Sequence, residues 1–158
     1  MAAKRIQREM DEISADGSVF QQTAGAGSWV VADRERASCW HAKIVSPTSG
    51  CAIFLRVSFA ENYPFTPPMF EARNPTSGEF VGINRHLCGS GISNDDDWSP
   101  AYTVQAIIAN IIRIAFTDEP VQYMGNNRPH CPECVGKARV GLAAMISEDK
   151  PNNEVRDV

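Results

Sequence analysis

No apolar run in the 158 residues approaches the roughly 18–20 that a membrane-crossing helix requires, so no span is expected in this chain. The opening stretch MAAKRIQREMDEIS has neither the apolar centre nor the small-residue cleavage site of a secretory signal; the expected compartment is the cytosol, the nucleus or both. Positive charge is not in excess. Fifteen Lys and Arg against 19 Asp and Glu leave a formal net charge of −4, which argues against a sequence-independent nucleic-acid binder but allows a small basic patch facing one partner. Internal repeats and domain linkers are missing too, and the length suits one well-buried core. Residues 1–158 are therefore read as a single domain, with 148–158 as a polar, frayed tail.

The cysteines do not pair off. Cys39, Cys51, Cys88, Cys131 and Cys134 are an odd number, scattered through a chain large enough to need no cross-links, and their ordinary reading is reduced and buried or idle. His130-Cys131-Pro132-Glu133-Cys134 holds a lone CxxC. A structural zinc site needs four ligands and no second pair lies at finger spacing, while a thioredoxin-like pair would need a βαβ context. The run Asp95-Asp96-Asp97 lacks the frame of an EF-hand and reads as a solvated loop that draws basic substrates at most.

What is present is a helix followed by a meander of short strands. Ile6, Met10 and Ile13 share one helical stripe, Lys4, Arg5 and Arg8 gather on another face, and Asp16-Gly17 supplies a stop. Residues 28–33 and 39–45 read as strands, the second with Trp40, Ala42 and Ile44 alternating against His41 and Lys43 as in a half-buried antiparallel strand. A turn at 46–50 leads to a third strand at 51–59, and 69–73 can make a short fourth. With no βαβ alternation, the expected class is α+β: an N-terminal helix, a four-stranded antiparallel meander, a long loop and C-terminal helices. Pro64, Pro67 and Pro68 force a rigid extended loop between strands three and four. From residue 73 to 100 periodicity nearly vanishes. Loops of that length in a compact domain are usually functional or disordered, and this one carries Cys88, with Leu87 and Ile92 as apolar pins. Residues 103–116 predict a strong helix with Thr103 as N-cap and Val104, Ile107, Ile108, Ile111, Ile112 and Ala115 on its buried face. A last helix is expected near 133–147.

Four of these pieces, in this order, resemble the ubiquitin-conjugating (E2) family over roughly residues 3–120. Lys4-Arg5-Ile6-Gln7-Arg8-Glu9-Met10 is similar to its opening helix, and Trp40-His41-Ala42-Lys43-Ile44 to its second strand. Ser58-Phe59 with Tyr63-Pro64-Phe65-Thr66-Pro67-Pro68 resembles the YPFxPP loop, and Trp98-Ser99-Pro100-Ala101-Tyr102-Thr103-Val104 the WSPAxTV segment. The usual His-Pro-Asn triplet before the cysteine is absent. Pro75-Thr76-Ser77-Gly78-Glu79-Phe80, then Asn84-Arg85-His86-Leu87-Cys88, is closer to a divergent branch whose known members are tail-anchored in the endoplasmic reticulum. This chain has one extra residue between Gly78 and Asn84, Gly89 where that branch has leucine, and no membrane tail.

The resemblance implies an acyl carrier that needs no cofactor or metal. Ubiquitin or a ubiquitin-like protein would arrive from an activating enzyme, ride as a thioester on Cys88, and leave for a lysine amine with a RING-type ligase. Asn84 is the best substitute for the missing asparagine, as a donor to the oxyanion; its other reading is a turn-holding residue. His86, two positions from Cys88, either tunes the thiol and the incoming amine or is an exposed loop histidine. Asp118, or equally Glu119, would steer the lysine; otherwise it is a solvated charge after the helix. Lys4, Arg5 and Arg8 resemble the patch that engages the activating enzyme, their other reading being a solvated helix face. Phe65, Pro100 and Ala101 resemble the surface that docks the ligase, with Phe65 equally readable as a core residue. Two alternatives stay open: a catalytically weak or inactive variant that binds ubiquitin as a scaffold, and a cysteine hydrolase pairing Cys88 with His86 or His41.

Overall fold

The computed structural model describes residues 2–87, 97–117 and 132–148. Helix α1 spans Ala2–Ser14 and a short helix α2 spans Val19–Thr23, the latter capped by the Ser18 hydroxyl, which accepts from the Gln21 N–H. Strands β1 (Trp29–Ala32), β2 (Cys39–Val45), β3 (Cys51–Ser58), β4 (Met69–Arg73) and β5 (Phe80–Gly82) follow, each antiparallel to the one before it. A 3₁₀ turn at Asn84–His86 comes next, then helix α3 (Val104–Phe116), helix α4 (Pro132–Ala143) and β6 (Ser147–Glu148). The last strand pairs with the start of β3 through Cys51↔Glu148 and Ala52↔Ser147. The meander is thus the expected α+β arrangement with two additions, β5 and β6.

Pleat parity decides which side chains meet. Register pairs Trp40 with Val57, Ala42 with Leu55 and Ile44 with Ile53, so these residues share a face. That face forms one core with Ile6 and Ile13 of α1, Ile107, Ile108 and Ile111 of α3, and Ala138 and Leu142 of α4. Helix α3 begins where Thr103 accepts from the Ala106 N–H, as its sequence predicts. The opposite face is less exposed than simple alternation implies. Lys43 is only 4% exposed, flanked in register by Trp29 of β1 and Phe54 of β3, so the solvated position expected for it is corrected. A lysine stem against two aromatic neighbours hides its methylenes at little cost.

The β4–β5 hairpin, absent from the sequence reading, is closed by turn chemistry. Asn74 donates its N–H to Glu79 O at 2.7 Å and accepts at its side chain from the Thr76 and Ser77 N–H groups. Gly78 sits there at φ +78°, a conformation that side chains disfavour. Half of the apparently structureless stretch is therefore a hairpin that delivers the chain to residue 84.

Candidate active site

The segment that enters the proposed cysteine is anchored residue by residue. Asn84 accepts from the Phe70 N–H at its Oδ1 (2.7 Å) and donates from Nδ2 to Pro68 O (3.0 Å), fastening the turn to the start of β4. Ile83 donates its N–H to Phe70 O, and both Ile83 and Leu87 are wholly buried. His86 does not stand free on the loop. Its half-buried ring lies against α4 at Gly141, where an added Cβ would come within 3.0 Å of Nδ1 and 3.1 Å of Cε1. Helix α4 is itself tied to the end of α3, because Arg139 Nη2 donates to Thr117 O at 3.0 Å. Cys88 follows this stem directly and lies outside the described residues, as do Asp95, Asp96, Asp118, Glu119, His130 and Cys131.

The chain returns to the described region through an equally fixed segment. Trp98 donates its indole N–H to Pro64 O at 2.7 Å, joining the 98–102 stretch to the proline-rich loop. Its ring also meets Tyr63 and Tyr102, closing a file of aromatics that runs Trp40, Phe59, Tyr63, Trp98, Tyr102. The Tyr63–Pro64 bond is cis.

Beneath these two loops lies a group that sequence reasoning missed. Glu9, 3% exposed, accepts from Arg5 Nε (2.8 Å), from the Tyr63 hydroxyl through a short hydrogen bond, and from the Val104 N–H (2.7 Å). The last contact sets a carboxylate at the N-terminus of α3, where free N–H groups and the helix dipole favour negative charge. Arg5 also donates to Tyr102 O at 2.9 Å and stacks over the Tyr63 ring. Burial, first, and the hydrogen bond to Glu9, second, push the Tyr63 hydroxyl far above the ordinary tyrosine range, so it stays protonated and a donor. The signal was present: Glu9 falls inside the stripe of Ile6 and Ile13, where a carboxylate is out of place unless it is satisfied.

The structure divides the predicted basic trio. Lys4 and Arg8 are exposed, whereas Arg5 turns inward to Glu9 and Tyr102 with 15% of its side chain accessible. Its guanidinium thus ties α1 to the 98–102 segment, while part of the side chain stays accessible beside Lys4 and Arg8. Phe65, Pro100 and Ala101 are all exposed, Phe65 at 65%, on the two loops that the Trp98–Pro64 bond joins. His41, the other histidine considered beside Cys88, pairs instead with Asp33 across the β1–β2 hairpin.

Residues 5–130 match the family described as ubiquitin-conjugating enzyme. Among solved structures the fold is similar to that of the human ubiquitin-conjugating enzyme E2 G1, at 18% identity over 70% of this chain and 91% of that one, with a TM-score of 0.50. A ubiquitin-conjugating enzyme E2 from Plasmodium falciparum matches at 17% identity over 69% of this chain and 93% of that one, with a TM-score of 0.49.

Proposed function

This chain belongs to the ubiquitin-conjugating enzyme family, and from that premise we propose that it carries ubiquitin or a related modifier as a thioester on Cys88 and hands it to a lysine amine. The observation that supports this most is the fixed stem on both sides of the cysteine: Leu87, one residue before it, is wholly buried, and Trp98 is bonded to Pro64 after it. A carrier that meets two large proteins in turn needs its nucleophile presented from a rigid base.

The chemistry is two acyl transfers. The Cys88 thiolate attacks the carbonyl carbon of the activating enzyme's thioester, and that enzyme's thiolate departs. A neutral amine then attacks the new thioester, the Cys88 thiolate leaves, and the extra amine proton passes to solvent or a nearby base. The reaction requires a reduced thiol, which suits the cytosol or nucleus. Lys4 and Arg8 are the residues we assign to the activating enzyme, and Phe65, Pro100 and Ala101 those assigned to a RING-type ligase. Asp118 is proposed to steer the amine. Asn84 acts chiefly as a positioning residue, since both ends of its amide are engaged by the backbone of 68–70.

The test is incubation with activating enzyme, ATP and ubiquitin, followed by a non-reducing gel. A thiol-sensitive adduct that disappears in Cys88→Ala and becomes a stable oxyester in Cys88→Ser supports the carrier, because an alkoxide leaves less readily than a thiolate. The engagement of Asn84 also favours a second reading, a weak or inactive scaffold with no strong oxyanion donor. Ubiquitin binding without any adduct selects that reading.

A further inference from the structure

The β1–β2 hairpin brings together three side chains that the carrier chemistry does not use. In a strand, residues two apart share a face, so Cys39 and His41 of β2 project the same way. Val31 pairs with His41 and the Asp33 N–H donates to Cys39 O at 2.8 Å, which puts Asp33, two residues beyond Val31, on that face beside them. The outcome is convergence on one atom. Asp33 Oδ2 lies 3.0 Å from His41 Nε2, Cys39 Sγ lies 4.0 Å from the same nitrogen, and all three donor atoms are within 4.8 Å of one another.

This is not the layout of a catalytic triad, in which the acid and the nucleophile bond opposite nitrogens of the imidazole. Here both face Nε2. With ordinary zinc bond lengths, a carboxylate oxygen, an imidazole nitrogen and a thiolate at tetrahedral angles sit about 3.4–3.6 Å apart, so small side-chain shifts admit an ion. The mixture of sulfur, nitrogen and oxygen donors suits a borderline-soft divalent cation better than magnesium or calcium. Cys39 is almost wholly buried, while Asp33 and His41 remain about one-sixth accessible, leaving a solvent-side position for a water ligand.

We propose that Asp33, Cys39 and His41 form a binding site for zinc or a similar divalent cation, which clamps the edge strand β1 to β2. Binding releases the Cys39 thiol proton to solvent and moves the imidazole proton from Nε2 to Nδ1; the metal's two charges are then matched by one thiolate and one carboxylate. Burial pushes the free Cys39 thiol upward, a cost that coordination offsets, and Arg36 is the cation that most favours its thiolate. Asp33 is preorganised as an anion. Its other oxygen, Oδ1, accepts from the Glu35 and Arg36 N–H groups at 2.9 and 3.2 Å.

The experiment titrates the reduced, chelator-stripped chain with cobalt(II) and reads the thiolate-to-metal charge-transfer band, with thermal unfolding alongside. One equivalent should produce the band and raise the melting temperature. Cys39→Ser should abolish the band, and Asp33→Asn should weaken binding at least about tenfold with an unchanged circular-dichroism spectrum. The proposal is overturned if the band persists in Cys39→Ser, if the double substitution Cys131→Ser and Cys134→Ser removes it instead, or if none forms with cobalt in large excess.

Discussion

Replacing Glu9 with alanine should cost more stability than any other single truncation in α1. The carboxylate is 3% exposed and accepts from three groups: the Arg5 guanidinium, the Tyr63 hydroxyl and the Val104 N–H. Counted separately, hydrogen bonds to a charged acceptor at about 1.5–3 kcal/mol each would sum to about 5–9 kcal/mol. That overstates the loss, because Arg5 keeps 15% of its side chain accessible and can recover some hydration. Leaving one partner of a buried ion pair behind costs about 3–5 kcal/mol, and this is the expected value. For a chain of this size it lowers the melting temperature by roughly 10 °C. Glu9→Gln keeps an acceptor for Val104 but turns amide hydrogens toward Arg5, so it should fall about midway. Tyr63→Phe removes one contact, at about 1–2 kcal/mol, and the double-mutant cycle with Glu9→Ala should reveal coupling above about 0.5 kcal/mol. Urea unfolding followed by far-ultraviolet circular dichroism measures all four. A loss below about 1 kcal/mol for Glu9→Ala would refute the hub.

Further expectations follow from other contacts. Gly136→Ala in α4 meets nothing within 4 Å and should stabilise by about 0.5–1 kcal/mol, whereas Gly141→Ala presses on the His86 ring and should lose that gain; differential scanning calorimetry compares them. Asn84→Ala should lower stability by about 1–3 kcal/mol and depress thioester loading and discharge together, as a positioning residue does; a fall in discharge alone, read by single-turnover assay, would make it an oxyanion donor instead. The hydrogen bond from His41, with backbone help from Glu35, holds the Asp33 carboxyl below its ordinary value of 3.8. A carboxylate with a depressed folded pKa stabilises above its unfolded value and loses that contribution as pH falls through the folded one. Asp33→Asn should therefore lower the melting temperature at neutral pH, and the gap should close below pH 3.8, as a pH series of melts would record.

Two strands were readable to the residue: β2 and β4 begin and end where expected, and α3 starts at its threonine cap. Three elements were not. The helix α2 has five residues, too few for a helical period to declare itself; β5 has three, and its only signal is the Asn74 and Gly78 turn chemistry. β6 owes its existence to pairing with β3 and would be coil in isolation. Of the site, Phe65, Pro100 and Ala101 came from the family resemblance; the prolines marked their loops, but whether Phe65 faced solvent or the core was open until the structure showed it exposed. The inward course of Arg5 was not legible, since it depends on Tyr102, 97 positions away in sequence. Polar contacts of that range leave no trace in periodicity.

The pairing of β6 with the start of β3 also sets where the last described residues sit on the sheet. Glu148 lies opposite Cys51, whereas the Asn84 turn is fastened near Val57 and Ser58 through Phe70, the register partner of Val57, and Pro68, which precedes Met69, the partner of Ser58. Six or seven strand residues separate these positions, on the order of 20 Å. A tether joined at Glu148 would therefore hold the molecule by the start of β3, about that distance along the strand from the Asn84 turn.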